Sequence, residues 1–308
     1  MFKEALLSTF ALILVTMSLN KTISYIAAII IFAVIFTLAQ SDIIYSSWVH
    51  AKEQEAFERR MCDLVKKINE KEATVIQPIP RIIIQVWVQK NGGKPMVPKR
   101  EVQYMETFRK LNPNFEYMFF DGNDIDQFFK SNYMEYYSTY NNLPLFIQKL
   151  DFFRYLAIYH YGGFYFDMDV EPHKPLDESI LNHSALFPID EYANAIDCNH
   201  PRMNSYCLVG QNFLLGQYAF GATAKHPFMK YLVDKIHDNL NKYIRVSKKL
   251  DERDKDATHY YVYKTTGPDF VTDCYVKYDK KEQLYILSNG KRQVFGDYAT
   301  HRYVGNWK

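Results

Sequence analysis

The sequence predicts an α/β fold with a mixed, largely parallel sheet, and three observations lead there. Short apolar runs alternate with segments of helical period from residue 81 to residue 170. Gly162-Gly163 joins a helical pattern directly to a strand pattern, as a turn that needs no side chain permits. Two aspartates, Asp167 and Asp169, close that strand at its carboxyl end, the edge at which open α/β sheets bind ligands.

Taken in order, the chain opens on two apolar runs, Ala5 to Leu19 and Thr22 to Ala39, split by Asn20 and Lys21. The second carries no charge, and at about 1.5 Å per residue it approaches the roughly 30 Å of a bilayer core. Residues 1–40 are therefore expected to be a membrane anchor, either one span or a tight helical hairpin. Lys3 and Lys21 ahead of the longer run favour a cytosolic N-terminus and a luminal remainder, and the apolar length favours an uncleaved anchor. Residues 41–79 read as a helical stem, with Phe57, Met61, Leu64, Val65 and Ile68 on one face, packing on the domain or on a second copy in a homodimer. Pro78 and Pro80 stop it. The rest, residues 80–308, is one domain: strand 81–88, helix 99–111, strand 115–121, helix 123–130, helix 144–161 and strand 164–170. Mixed strands and turns follow to 224, then a helix over 226–243, a charged helical stretch over 246–257 and a short helix after Pro268.

The chemistry concentrates between Leu150 and Val170. Side chains alternate along a strand, so Asp167 and Asp169 face one way and Met168 the other. Two carboxylates that close repel unless a cation lies between them, and hard oxygen ligands suit magnesium or manganese. The plainer reading of an Asp-x-Asp pair is one turn cap and one solvated carboxylate. Asp151 and Arg154, three apart on an otherwise apolar helix, either neutralise each other or meet a polar ligand, because an unpaired buried ion costs several kcal/mol.

The segment from Lys149 to Leu176, KLDFFRYLAIYHYGGFYFDMDVEPHKPL, resembles the DXD-containing sugar-binding region of glycosyltransferases, the family of fungal outer-chain and inositolphosphoceramide mannosyltransferases and of α-galactosyltransferases. Ile79 to Trp87 is similar to its opening strand, with Ile84 where a histidine is usual. Asn112 to Tyr117 with Asp121, Gln217 to Pro227, Thr266-Gly267-Pro268 and His301 to Trp307 follow in the family's order, with Asn306 in a serine position. The resemblance implies a GT-A type, Rossmann-like nucleotide-sugar fold and an α-retaining hexosyltransferase using Mn2+ or Mg2+. It implies metal ligation by Asp169 directly, by Asp167 directly or through water, and by His301. It assigns the donor to Gln85, Trp87, Asp151, Arg154, Asp167, Asn306 and Trp307, with Gln217 or the nearby Asn212 at the sugar. GDP-mannose is the favoured donor, UDP-hexoses remain open, and the acceptor is a glycan, glycolipid or protein in a Golgi- or ER-like lumen.

Composition agrees. With 308 residues, 48% hydrophobic, and a net charge of +2, the chain can bury a large core and lacks the basic footprint of a nucleic-acid binder. Cys62, Cys198, Cys207 and Cys274 lack zinc-site spacing; Cys198 and Cys207 are either a disulfide or free thiols. Asn182-His183-Ser184 is a glycosylation sequon. Two other functions compete: a metal phosphoesterase, which needs a second cluster of ligands, and a tethered carbohydrate-binding protein without catalysis, which would be expected to lose an acid of the pair.

Overall fold

The computed structural model describes residues 21–72, 77–89, 94–192, 197–251, 253–288 and 294–303. The chain divides between Arg59 and Arg60 into two compact units. Helix α1 (Lys21–Asn69) runs through that boundary. Most side chains from Thr22 to Ala39, the expected span, lie outside the described residues, as do residues 1–20. Among the described residues no helix is long and apolar enough to cross a membrane.

The last turns of α1 belong to the second unit and settle one alternative for the stem. Val65 is 3% exposed within the main core, Ile68 packs against it, and the Asn69 amide both donates to the Ile286 carbonyl and accepts from the Ile286 N–H, each at 2.9 Å. The stem end packs on the compact unit that begins at Arg60 and includes the residues from 80 onward.

Next come β1 (Ile82–Val86), α2 (Lys99–Leu111), β2 (Glu116–Phe120), α3 (Gly122–Asn132), α4 (Met134–Asn142), α5 (Phe146–Tyr161), β3 (Gly163–Phe166) and β4 (Val170–Pro172). Asp121 caps α3, its carboxylate accepting from the N–H groups of Asn123 and Asp124, which otherwise have no helical partner. Beyond β4 lie α6 (Glu178–Leu181), β5 (Ala185–Tyr192), α7 (Pro201–Cys207), β6 (Phe213–Leu215), β7 (Ala219–Ala222), α8 (Pro227–Ser247), α9 (Lys255–Thr265), α10 (Pro268–Lys277), β8 (Tyr285–Leu287), β9 (Val294–Phe295) and β10 (Ala299–His301). Helix α4 is absent from the sequence reading, and the charged stretch after 246 breaks before α9 begins.

The main sheet runs β2-β1-β3-β7-β5-β6, with β8 also on β5. It is mixed as expected but not largely parallel: β1–β2, β1–β3 and β5–β8 are parallel, while β3–β7, β5–β7 and β5–β6 are antiparallel. Parallel neighbours need a crossover, which α2 and α3–α5 supply in the first half; β5, β6 and β7, joined through α7 and then by a short link, pair antiparallel. A second sheet, β4-β10-β9, is antiparallel throughout.

Alternation divides the core into two layers. Ile84, Tyr165, Phe187 and Phe220 face α5 and α8, whereas Ile83, Phe164 and Phe166 face Phe108 of α2 and Phe295 of the small sheet. Ile84 is fully buried and serves as a packing position.

The turn from α5 to β3 fixes the distance from helix charges to strand-end charges. Gly163 sits at φ 90°, and a Cβ there would lie 2.6 Å from the Ile82 carbonyl oxygen, backbone that cannot move aside. Gly163→Ala is expected to cost about 2 kcal/mol or more and lower Tm by about 5 °C. Gly210→Ala is the control in thermal unfolding: it has φ 74° and open space, and therefore bears the backbone cost alone.

Candidate active site

Asp167 and Asp169 meet through a turn and not through strand alternation. Strand β3 ends at Phe166, and the chain then folds so that the Val170 N–H donates to the Asp167 carbonyl at 3.1 Å. The Asp167 N–H still extends the ladder, donating to Tyr218 at 2.7 Å. His301, at the end of β10, pairs across to Val170 of β4 and so arrives beside the same turn. Ligand atoms of Asp167, Asp169 and His301 all lie within 4.8 Å of one another. The His301 Nε2 stands 3.2 Å from Asp169 Oδ1, its ring stacks on Tyr218 at 4.8 Å, and its Nδ1 has no hydrogen-bond partner among the described residues.

Arg154 joins this group to the helix. Its Nη1 lies 2.9 Å from Asp167 Oδ1 and donates to the Gln217 carbonyl at 3.3 Å, its Nη2 is 2.8 Å from Asp151 Oδ1, and its guanidinium lies over the Tyr165 ring at 4.7 Å. The Asp151–Arg154 contact is an ion pair without hydrogen-bond alignment, since Asp151 Oδ1 has no hydrogen-bond donor. The other oxygen, Oδ2, accepts from the Thr266 hydroxyl at 2.6 Å. Asp151 is fully buried and Arg154 is 4% exposed.

Burial pushes the Asp151 carboxyl up to about 6 against the pull of Arg154 and Thr266. Burial works against the Arg154 charge, yet Asp167, Tyr165 and Asp151 together hold it above the usual guanidinium value. The two partners thus point opposite ways on the pair. The 2.8 Å contact favours the ionised form at neutral pH. Asp167 is raised by burial and secondarily by the Asp169 charge, with Arg154 opposing. A quarter of its side chain is exposed, so solvent moderates that rise. His301 is drawn down by burial but raised on balance by its hydrogen bond to Asp169 and by the charges of Asp169, Asp167 and Asp190.

These groups line a cleft of about 310 Å³. Trp87, Asp151, Arg154, Asp167, Asp169, Gln217 and His301 all reach it. The Trp87 indole N–H is buried without a partner among the described residues. Gln217 lies at the cleft and Asn212 does not; the Gln217 side-chain carbonyl accepts from the Tyr155 hydroxyl at 2.7 Å. Gln85 does not line the cleft. It is fully buried away from the cleft, and its amide donates to the Asp167 carbonyl at 3.3 Å while its oxygen accepts from Tyr117, so it braces the turn. Asn306 and Trp307 lie outside the described residues.

Sequence reading missed Asp190, Glu191, Arg202, Tyr218 and Tyr263 on the cleft wall. They come from β5, α7, the approach to β7, and α9, and no local pattern links them. Arg202 is held there by fully buried Asp269, Nε to Oδ1 at 2.9 Å, on a helix whose last residue, Cys207, is tied by a disulfide to Cys198 ahead of it. A wider groove of about 470 Å³ beside β2 and α3 is lined by none of these residues.

Residues 98–187 match the family described as glycosyltransferase sugar-binding region containing DXD motif. Asp167-Met168-Asp169 lies inside the matched stretch and has the DXD pattern, and both of its aspartates belong to the converging Asp167, Asp169 and His301 group. Inositol phosphoceramide mannosyltransferase 1 of Schizosaccharomyces pombe is 29% identical over 174 residues, 54% of this chain and 44% of that protein. Uncharacterized glycosyltransferase L373 of Acanthamoeba polyphaga mimivirus is 29% identical over 211 residues, 68% and 70% of the two chains. The initiation-specific alpha-1,6-mannosyltransferase of Candida albicans is 27% identical over 168 residues, 53% and 43%. The chain thus spans less than half the length of these two mannosyltransferases.

Proposed function

We propose that this chain is a GT-A type glycosyltransferase that moves a hexose, mannose from GDP-mannose first, onto a glycan or glycolipid hydroxyl with retention of the α configuration. One observation carries the reading: the carboxylates of the DXD motif and a histidine from a distant strand converge in a cleft that also holds the Asp151–Arg154 pair. Two hard oxygens and one imidazole nitrogen suit a manganese or magnesium ion. Such an ion, when bound, acts as a Lewis acid toward the departing diphosphate.

The chain's own residues supply binding and orientation. Asp167 Oδ1 is held by Arg154 and by the Tyr165 hydroxyl at 2.7 Å, which leaves Oδ2 for the metal or for donor hydroxyls. Arg154, already charged and fixed, stabilises negative charge on a phosphate oxygen without reorganising. Trp87 offers its face and its unpartnered N–H to the nucleotide base. Gln217 and Asp151 border the hexose. Exclusion of water by the buried walls keeps these interactions strong.

The competing readings fare less well. A two-metal phosphoesterase needs a second group of ligands, and among the described residues Asp167, Asp169 and His301 are the one such group. An inactive binding protein has no need for the full set Asp151, Arg154, Asp167 and Asp169, which is intact. Residues 1–40 are proposed to anchor the domain in a membrane with the domain luminal, and the Cys198–Cys207 disulfide fits that oxidising side. The deciding experiment is hydrolysis of a panel of nucleotide sugars by the solubilised full chain with Mn2+ and with chelator. Metal-dependent release of GDP or UDP from one donor is expected, and no turnover of any donor overturns the proposal.

A further inference from the structure

The cleft has a second half that the donor machinery leaves unused, and it is built. Asp190, 8% exposed, lines it together with Glu191, Arg202, Tyr218, Tyr263 and Tyr303. Asp190 lines the same cleft as His301 and Arg202, next in sequence to Glu191, which Arg202 meets at 3.5 Å. Tyr218 is 4% exposed, and its hydroxyl has no hydrogen-bond partner among the described residues although it belongs to the cleft wall. A buried hydroxyl left unmade costs about 1–3 kcal/mol, which a ligand hydroxyl would recover.

The charge of this half selects what enters. Arg202 is the cation at its wall among the described residues, and its fork is committed: Nε reaches both Asp269 oxygens at 2.9 and 3.1 Å, Nη2 reaches Oδ1 at 2.5 Å, and Nη1 reaches Glu191 at 3.5 Å. Lys264 also sits on Asp269, at 3.3 Å. Among the described residues lining this half, carboxylates Asp190 and Glu191 outnumber the guanidinium of Arg202, whose charge is shared with buried Asp269, which makes a negative wall that repels phosphate and accepts hydrogen bonds from hydroxyls. Tyr303, 52% exposed, adds a ring suited to the apolar face of a cyclic sugar.

Building on the transferase reading, we propose that Asp190 and the Tyr218 hydroxyl form the acceptor subsite, and that the acceptor ring seated there is an uncharged polyol. The carboxylate accepts from one acceptor hydroxyl and the phenol bonds a neighbouring one, holding the attacking oxygen beside the donor carbon.

The test measures steady-state kinetics of the solubilised full chain with Mn2+ and GDP-mannose, or whichever panel donor the wild type turns over. Methyl α-mannopyranoside, myo-inositol and mannose 6-phosphate serve as acceptors. The wild type is expected to use a neutral acceptor with kcat/KM about tenfold or more above mannose 6-phosphate. Asp190→Asn and the isosteric Tyr218→Phe are each expected to raise acceptor KM about tenfold, with donor KM moving less than about threefold. Equal rises in both KM values, an unchanged acceptor KM in both variants, a preference for the phosphorylated sugar, or use of none of the acceptors by an enzyme that hydrolyses donor would each overturn this subsite. A wild type inert toward every nucleotide sugar instead brings down the transferase reading beneath it.

Discussion

Asp169→Ala is expected to reduce transfer by about two orders of magnitude or more while leaving Tm unchanged or slightly higher. The two halves of that result come from one cause. In the protein without a cation, Asp169 contributes repulsion: its charge raises Asp167, and His301 at 3.2 Å compensates only in part. Removing the carboxylate relieves that repulsion and gives up the contact with His301, and the two changes offset. With Mn2+ present the order reverses. Wild-type Tm rises with metal concentration, because a ligand that binds the folded state stabilises it by RT ln(1 + [L]/Kd), and the variant's does not. Manganese binding followed by electron paramagnetic resonance, thermal unfolding with and without metal, and donor turnover together check the claim. A variant that keeps wild-type turnover removes Asp169 from the metal site.

Why the DXD site was legible and its far wall was not is a matter of sequence distance. Helix α5, the Gly162-Gly163 turn and β3 are contiguous, so periodicity and two glycines with φ of 71° and 90° suffice to bring Asp151, Arg154 and the strand end together. The exact means was misjudged: a turn after Phe166, braced by Gln85 from β1, sets the two carboxylates, and no local pattern announces a brace 82 residues away. His301 was found only through family order, because its approach depends on pairing of β10 with β4. The sheet's antiparallel half was blurred because β6 and β7 are three and four residues long, too short for a period to register. Asp190, Arg202 and Tyr218 had no signal at all. Their grouping rests on β5 pairing and on buried Asp269, which follows Thr266-Gly267-Pro268 in a stretch that reads as a helix start.

Arg154 separates structure from function most sharply. It is 4% exposed and serves Asp151, Asp167, the Gln217 carbonyl and the Tyr165 ring at once. A lysine has one compact ammonium and cannot span Asp151 and Asp167, so Arg154→Lys is expected to lose about a hundredfold in kcat/KM. Arg154→Met leaves fully buried Asp151 with Thr266 alone, and breaking a buried pair costs about 3–5 kcal/mol. Its Tm is therefore expected to fall by about 6 °C or more at pH 8. The loss is smaller in acid. Burial already holds the folded Asp151 carboxyl at about 6, above its unfolded value, and removing Arg154 removes its main opposing influence. The folded state then binds the extra proton, so stability declines as pH rises from about 4 through the folded value. The double variant Asp151→Asn/Arg154→Met removes both charges, and its Tm is expected to recover most of the loss and to lose that pH dependence, because a buried pair replaced as a whole is often neutral for stability. Activity is not expected to recover, since no guanidinium remains beside Asp167 to meet a phosphate of the proposed donor. Thermal unfolding at pH 5 and pH 8, paired with kcat/KM for the three variants, checks each step. If the double variant regains turnover, Arg154 and Asp151 are a structural pair and the charge that faces the donor comes from elsewhere.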